Sequence, residues 1–165
     1  MNPKRSAVYP GTFDPITNGH TDLITRSLRV FDKIIVAVAH NPGKHPLFGL
    51  DERVEMVQLA IKDVPNVEVE PFNGLLVDYI KHRGVRAVIR GLRAISDFEY
   101  ELQMALINRK LEQGFETVFF MPSEEYSYLT SSIVKEVASF GGSLTDFVHA
   151  EVAQRLRQRF QGTNR

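Results

Sequence analysis

Five short runs of apolar, mostly β-branched or aromatic residues punctuate the chain, at Ser6 to Tyr9, Ile34 to Ala39, Val67 to Val69, Ala87 to Ile89 and Thr117 to Met121. Their length and residue types predict β-strands. Between them apolar positions recur three and four apart, as in Leu23, Ile24, Leu28 and Phe31, in Val54, Val57 and Ile61, and in Leu102, Met104, Ala105 and Leu111. That spacing puts an apolar stripe on one side of a helix. Strand and helix alternate, which calls for right-handed crossovers and a parallel sheet covered on both faces, a doubly wound α/β fold. After the fifth strand the pattern turns helical, at Ser131 to Ser139 and Leu144 to Phe160. No repeat and no Gly/Ser-rich linker interrupts the chain, so residues 1–160 read as one domain and 161–165 as a polar tail.

The residues least suited to a core follow the strands: Pro10 to Pro15, Asn41 to Pro46, Phe72 to Leu76, Arg90 to Arg93 and Pro122 to Ser132. Ligands of open parallel sheets bind beyond the carboxyl ends of the strands, so these five loops are expected to converge on one crevice.

Bulk composition narrows what that crevice can take. At 165 residues the chain is long enough to bury a core unaided, within the roughly 100 to 200 residues of one domain. Twenty Lys plus Arg balance twenty Asp plus Glu, so there is no global field for DNA, RNA or an anionic membrane, and any anion must be small and locally recognised. The absence of cysteine excludes a disulfide framework, a thiolate zinc site and a cysteine nucleophile. The N-terminal residues lack the apolar core of a signal peptide, and Ile34 to Ala39, the longest strongly apolar run, is far shorter than the roughly 20 residues of a membrane span. A soluble, cytoplasmic protein is expected.

The loops carry cations, hydroxyls and helix starts. Thr17-Asn18-Gly19-His20 heads the first helix, where unpaired N–H groups and the helix dipole favour a phosphate; His20 is read either as a donor to that phosphate or as a capping side chain. Lys44 has no acid between His40 and Leu50. Arg90 and Arg93 flank Gly91-Leu92, and either grip phosphate oxygens or pair with Asp97, Glu99 or Glu101 on the next helix. Thr130, Ser131 and Ser132 precede an apolar helix, one hydroxyl serving as cap and the others left for a second anion cradle. There is no P-loop, no dinucleotide fingerprint, no G-x-S-x-G and no zinc-spaced histidine pair. What remains suits phosphoryl or nucleotidyl transfer, in which the protein positions reactants and stabilises charge.

Tyr9-Pro10-Gly11-Thr12-Phe13-Asp14-Pro15-Ile16-Thr17-Asn18-Gly19-His20 closely resembles the opening of the bacterial phosphopantetheine adenylyltransferase family, with Thr17 to His20 as its form of the H-x-G-H motif of nucleotidyltransferases. The resemblance continues through Lys44-His45-Pro46, Ile89 to Ala94, Asp97 to Glu101 and Thr130 to Val137, covering Arg5 to about Phe160. Two departures from the wider superfamily stand out: Thr17 replaces the first histidine, and Leu129-Thr130-Ser131-Ser132 with Lys135 is a relaxed I-S-S-T-x-x-R.

The resemblance implies a Rossmann-like five-stranded sheet and the reaction of ATP with 4′-phosphopantetheine to give dephospho-coenzyme A and pyrophosphate. It implies that His20 stabilises the transition state, Thr12 orients both reactants and Phe13 lies beside it on the nucleotide. Lys44 and Arg90 would hold the acceptor phosphate and Leu76 would line the pantetheine arm. Gly91, Leu92, Arg93 and Glu101 would contact ATP, as would Tyr126, Ser127, Tyr128, Leu129, Thr130, Ser131 and Ser132. It further implies Mg2+ delivered with ATP, no metal ligand from the chain itself, feedback by coenzyme A, and a homohexamer. Two rivals differ in what they need: a nucleotidyltransferase for another phosphorylated acceptor, and a non-catalytic nucleotide sensor, which would have no use for His20.

Overall fold

The computed structural model describes residues 5–93 and 95–162. Met1 to Lys4, Ala94 at the end of the fourth loop motif, and residues 163–165 of the expected tail lie outside the described residues. The strands are β1 (Ser6–Gly11), β2 (Lys33–Ala39), β3 (Val67–Phe72), β4 (Ala87–Gly91) and β5 (Glu116–Phe120). The helices are α1 (Asn18–Ser27), α2 (Leu50–Ala60), α3 (Leu76–Arg83), α4 (Ile95–Leu111), α5 (Ser131–Ser139) and α6 (Ala150–Gln161). All strand pairs are parallel, in the order β3-β2-β1-β4-β5. The five expected strands are therefore all present, each with boundaries moved by a few residues.

Alternation along the strands builds two cores. Ala7, Tyr9, Ile34, Val36, Val38 and Ile89 face α1, α2, α5 and α6, while Val8, Ile35, Ala37 and Val88 face the opposite way onto Val77 and Ile80 of α3. Neighbouring residues of β1 and β2 thus serve opposite faces, which is why these strands are continuous apolar runs. From β1 the chain winds outward through β2 to β3, then returns to the other side of β1 for β4 and β5. The reversal lies between β1 and β4, where an open α/β sheet leaves a crevice.

Three boundaries differ from expectation. Leu76 begins α3 rather than ending a loop; its N-cap Leu75 makes no side-chain cap bond, so the usual helix-start signal is missing and burial of Val77 and Ile80 supplies the stability instead. Gly84 closes α3 at φ 63°, the left-handed position glycine fills without strain. The apolar positions from Leu144 onward do not make one helix: Leu144 and Val148 are buried in the irregular segment before it, and α6 starts only after His149, whose Nδ1 accepts from the Glu151 N–H. At its far end α6 includes Gln161, which therefore belongs to the helix rather than the tail. No helix of the described residues is long and apolar enough to cross a membrane.

Candidate active site

The head of α1 is tied to itself. Thr17 is the N-cap, and its Oγ1 accepts from the His20 backbone N–H at 3.4 Å while His20 Nδ1 accepts from the Thr17 backbone N–H at 2.9 Å. This reciprocal box is normally closed by Glu or Gln, and caps of this kind stabilise a helix by about 1 kcal/mol. Here the partner is an imidazole, with a chemical consequence. Nδ1 must be unprotonated to accept, so the ring proton sits on Nε2, the only ring nitrogen left to donate. Burial, then Arg93 and Arg90, push the His20 pKa from 6.5 down to about 4, so the ring stays neutral near pH 7. Capping and phosphate donation, set out as alternatives, are compatible: one nitrogen caps and the other is free to donate.

His20 lines a cavity of about 530 Å³ with Thr12, Phe13, Lys44, Arg90, Gly91, Arg93, Glu101, Tyr126, Leu129, Thr130, Ser131 and Ser132. A second cavity of about 270 Å³ is lined by Leu76, Phe72, Tyr100, Met104, Ala105 and Asn108, and the two share Pro10, Gly11, Thr12, Lys44, Arg90 and Glu101. The loops thus serve two adjoining cavities rather than one crevice, and the connection after β3 reaches only the smaller, through its flanking residues Phe72 and Leu76. Leu92, Ser127 and Tyr128 line neither cavity. The Leu92 N–H donates to Phe120 O at 3.0 Å, Ser127 Oγ donates to Glu124 O at 2.9 Å, and Tyr128 is exposed.

Both arginines pair with acids on α4, and Arg90 keeps N–H groups for a further acceptor. Arg90 donates through Nε and Nη2 to Glu101 at 2.7 and 2.5 Å, and through Nη1 to Pro10 O at 3.0 Å. Two of the five guanidinium N–H groups remain for another acceptor. Arg93 Nε donates to Asp97 at 3.2 Å. Lys44 has no ion-pair partner among the described residues.

The three hydroxyls before α5 divide their work. Thr130 Oγ1 caps the helix, accepting from the Ile133 N–H at 3.1 Å; Ser131 Oγ donates to Pro15 O at 2.8 Å, tying the fifth loop to the first; Ser132 is exposed at the cavity wall. Phe13 has φ 48°, a left-handed conformation that costs a non-glycine residue about 1–3 kcal/mol and persists only where the surroundings enforce it. Its ring is buried edge-on to both Tyr9 and His20, with centroids 5.4 and 5.1 Å away. At position 91 a Cβ would come within 2.7 Å of Leu23 Cδ1, so a larger residue there must displace that buried side chain.

Several contributors were not among the expected site residues. Asp14 is buried, accepts from the N–H groups of Leu47 and Phe48 at 2.8 and 2.9 Å, and pairs with Lys135 Nζ at 2.8 Å at the cavity wall. Arg53 is 1% exposed and donates to the carbonyls of Thr12, Ala39 and Phe48. Asp14 could have been found from its place between Phe13 and Pro15 in the turn-rich first loop. Arg53 follows Asp51 and Glu52 in sequence and reads as part of a solvated helix face.

A parallel sheet that reverses its winding beside a cavity lined by a helix head, a neutral histidine donor and several cations defines a nucleotide-handling α/β protein. Residues 8–137 match the family model for cytidylyltransferase-like proteins. Curated relatives lie close along nearly the full length: a phosphopantetheine adenylyltransferase from Caldanaerobacter subterraneus is 55% identical over 157 residues, covering 95% of this chain and 98% of its own. Another of that name from Thiobacillus denitrificans is 53% identical, covering 94% and 98%. A solved chain from Vibrio parahaemolyticus, assigned as a nicotinate-nucleotide adenylyltransferase, superposes with a TM-score of 0.70 over 93% of this chain and 91% of its own; at 16% identity it is similar in fold. The chain belongs to the phosphopantetheine adenylyltransferase family within the nucleotidyltransferases.

Proposed function

We infer that the chain transfers the adenylyl group of ATP to 4′-phosphopantetheine, giving dephospho-coenzyme A and pyrophosphate. The observation that carries this reading is the pair of cavities meeting at Thr12, Lys44, Arg90 and Glu101. The larger, with its helix head and cations, suits a nucleoside triphosphate. The smaller, with Leu76, Met104 and Ala105, suits a largely apolar arm whose phosphate reaches the shared wall.

In this reading Lys44 and the two remaining N–H groups of Arg90 hold the acceptor phosphate, and Thr12 orients it against the nucleotide. An oxygen of that phosphate attacks the α-phosphorus, the bond to the bridging oxygen breaks, and pyrophosphate leaves with the electron pair. The attacking oxygen is already anionic, so the step needs no general base. His20 Nε2–H donates to the α-phosphoryl group as negative charge builds there, in a position where a preorganised donor acts most strongly in the transition state. Phe13, Gly91, Arg93, Glu101 and the fifth loop, including Ser131 and Ser132, form the nucleotide side. Leu92, Ser127 and Tyr128 belong to it as neighbours in the chain rather than as walls of the cavity.

Among the described residues no group of three His, Asp or Glu side chains could hold a metal ion. Mg2+ is assigned to ATP as part of the substrate, coordinated chiefly by phosphate oxygens and water. The homohexamer is carried over from the family resemblance; α4, which leaves Phe98, Tyr100, Leu102, Leu106, Ile107 and Leu111 exposed, offers apolar surface suited to contact between subunits but does not set their number. Feedback by coenzyme A follows from its likeness to the product, and the reaction is assigned to the cytoplasm.

The test is pyrophosphate release from ATP and Mg2+ with 4′-phosphopantetheine, nicotinamide mononucleotide or glycerol 3-phosphate. Turnover with the first alone is expected. Turnover only with another acceptor overturns the assignment, and ATP binding without release in any arm favours a sensor.

A further inference from the structure

Arg53, on α2, is almost wholly buried yet makes no hydrogen bond to a carboxylate. Its three N–H bonds go to backbone carbonyls: Nη1 to Thr12 O at 2.6 Å and to Ala39 O at 2.8 Å, and Nε to Phe48 O at 3.1 Å. Asp14 lies close enough to act on it through space. A buried cation is costly, and an apolar side chain of similar volume usually packs as well or better. What an apolar residue cannot do is hold these carbonyls. They stand just after β1, at the last residue of β2, and just before α2.

The loops so joined are those that form the partition between the two cavities. Thr12 lines both cavities and Ala39 lines the smaller; Lys44, in the loop that leaves β2 after Ala39, lines both. The Thr12–Phe13 peptide is trans, since the cis bond lies at Asp14–Pro15. In a trans peptide the C=O and N–H point in opposite directions. With the Thr12 carbonyl drawn into the core by Arg53, the Phe13 N–H is turned away from the core, at a residue that lines the larger cavity. Phe13 is also the residue held at φ 48°, a conformation that needs enforcement from outside itself.

We propose that Arg53 is a positioning residue for adenylyl transfer, holding the Thr12–Phe13 peptide and the end of β2 in the arrangement that sets the nucleotide against the acceptor phosphate. It touches neither reactant. The inference rests on the transfer reaction proposed above.

The test compares Arg53→Lys and Arg53→Met with the wild-type protein in the pyrophosphate assay, alongside thermal unfolding and direct ATP binding. Arg53→Lys keeps the charge but not the fork that spans three carbonyls, and is expected to remain folded. Because small misplacements of reacting groups cost up to about 100-fold in rate, kcat in Arg53→Lys should fall about 10-fold or more, with ATP affinity changed less than about 3-fold. Arg53→Met should lose at least as much. A variant with a lowered Tm that keeps wild-type kcat well below its transition makes Arg53 a scaffold residue and overturns the proposal, as does a loss confined to ATP affinity. No turnover by the wild-type protein overturns the reaction assignment and the positioning role with it, whereas turnover by the wild-type protein with an unimpaired variant overturns the positioning role alone.

Discussion

The larger and smaller cavities share one wall but are built of different materials. The larger combines helix heads, hydroxyls and cations held by hydrogen bonds within and between loops: the Thr17–His20 box, the Thr130 cap, the Ser131 bond to Pro15, and Asp14 gathering two N–H groups and Lys135. The smaller is made of side chains projecting from α3, α4 and the ends of β2 and β3. One is suited to fixing charge in space, where a displacement of an ångström matters. The other is suited to excluding water around an arm, where an apolar side chain of similar size serves as well.

The greatest expected loss comes from disturbing the larger cavity. His20→Ala should lower kcat by about 100- to 1,000-fold, the effect of removing one preorganised donor at a developing oxyanion. ATP affinity should stay within a few-fold, because the contact strengthens only in the transition state. Collapse of ATP binding, with bound ATP still turned over at the wild-type rate, would make His20 a binding residue and erase the distinction between the cavities. The smaller cavity should respond mildly and selectively. Leu76→Ala removes part of one half-buried side chain, so the KM for 4′-phosphopantetheine should rise about 5-fold, the equivalent of roughly 1 kcal/mol, with the KM for ATP unchanged. A rise in the KM for ATP instead would show that the division is drawn in the wrong place.

The smallest effect is on stability. The His20 pKa is held near 4 against an ordinary 6.5, so between those values the unfolded chain takes up a proton that the native protein refuses. Stability therefore falls as pH drops through 6.5 toward 4, and His20 contributes nothing to this slope above that range. Glutamine at the same position keeps a capping box without a titrating group. Urea unfolding from pH 7 to 4.5 should thus show a steeper loss for the wild-type protein than for His20→Gln, and equal slopes would rule out the neutral, Nε2-protonated imidazole.

The same contrast explains what could be read from the chain. Glycine, proline, histidine and hydroxyl residues carry strong local preferences, so Pro10 to His20 and Thr130 to Ser132 could be placed at strand ends and helix heads from residue type alone. β1 and β2 were legible because buried strands are uninterrupted apolar runs, and the edge strand β3 because Val67 and Val69 alternate with Glu68 and Glu70. α3 was not, because it lacks a capping residue and draws its stability from Val77 and Ile80 packing on a distant part of the chain. Arg53 was hidden for the same reason. Its neighbours Asp51 and Glu52 suggest a wet helix face, and only the folded chain shows that its side chain reaches the carbonyls of residues 14 and 41 positions away. Whether Arg90 and Arg93 pair with acids or with phosphate also depended on geometry, since both depend on which N–H groups are left over.

Those pairings set how selective the protein is among the anions of its surroundings. Arg90, Arg93 and Lys135 are each already engaged with a carboxylate, so the cavity offers no bare cluster of positive charge to a passing sulfate or inorganic phosphate. Lys44 and the two spare N–H groups of Arg90 are the exception, enough for a single phosphate group but not for a chain of them. A ligand with several phosphate groups, arriving at one place, can recruit the spare N–H groups of several cations together. The ion pairs therefore weight the cavity toward ligands carrying several phosphates over those carrying one.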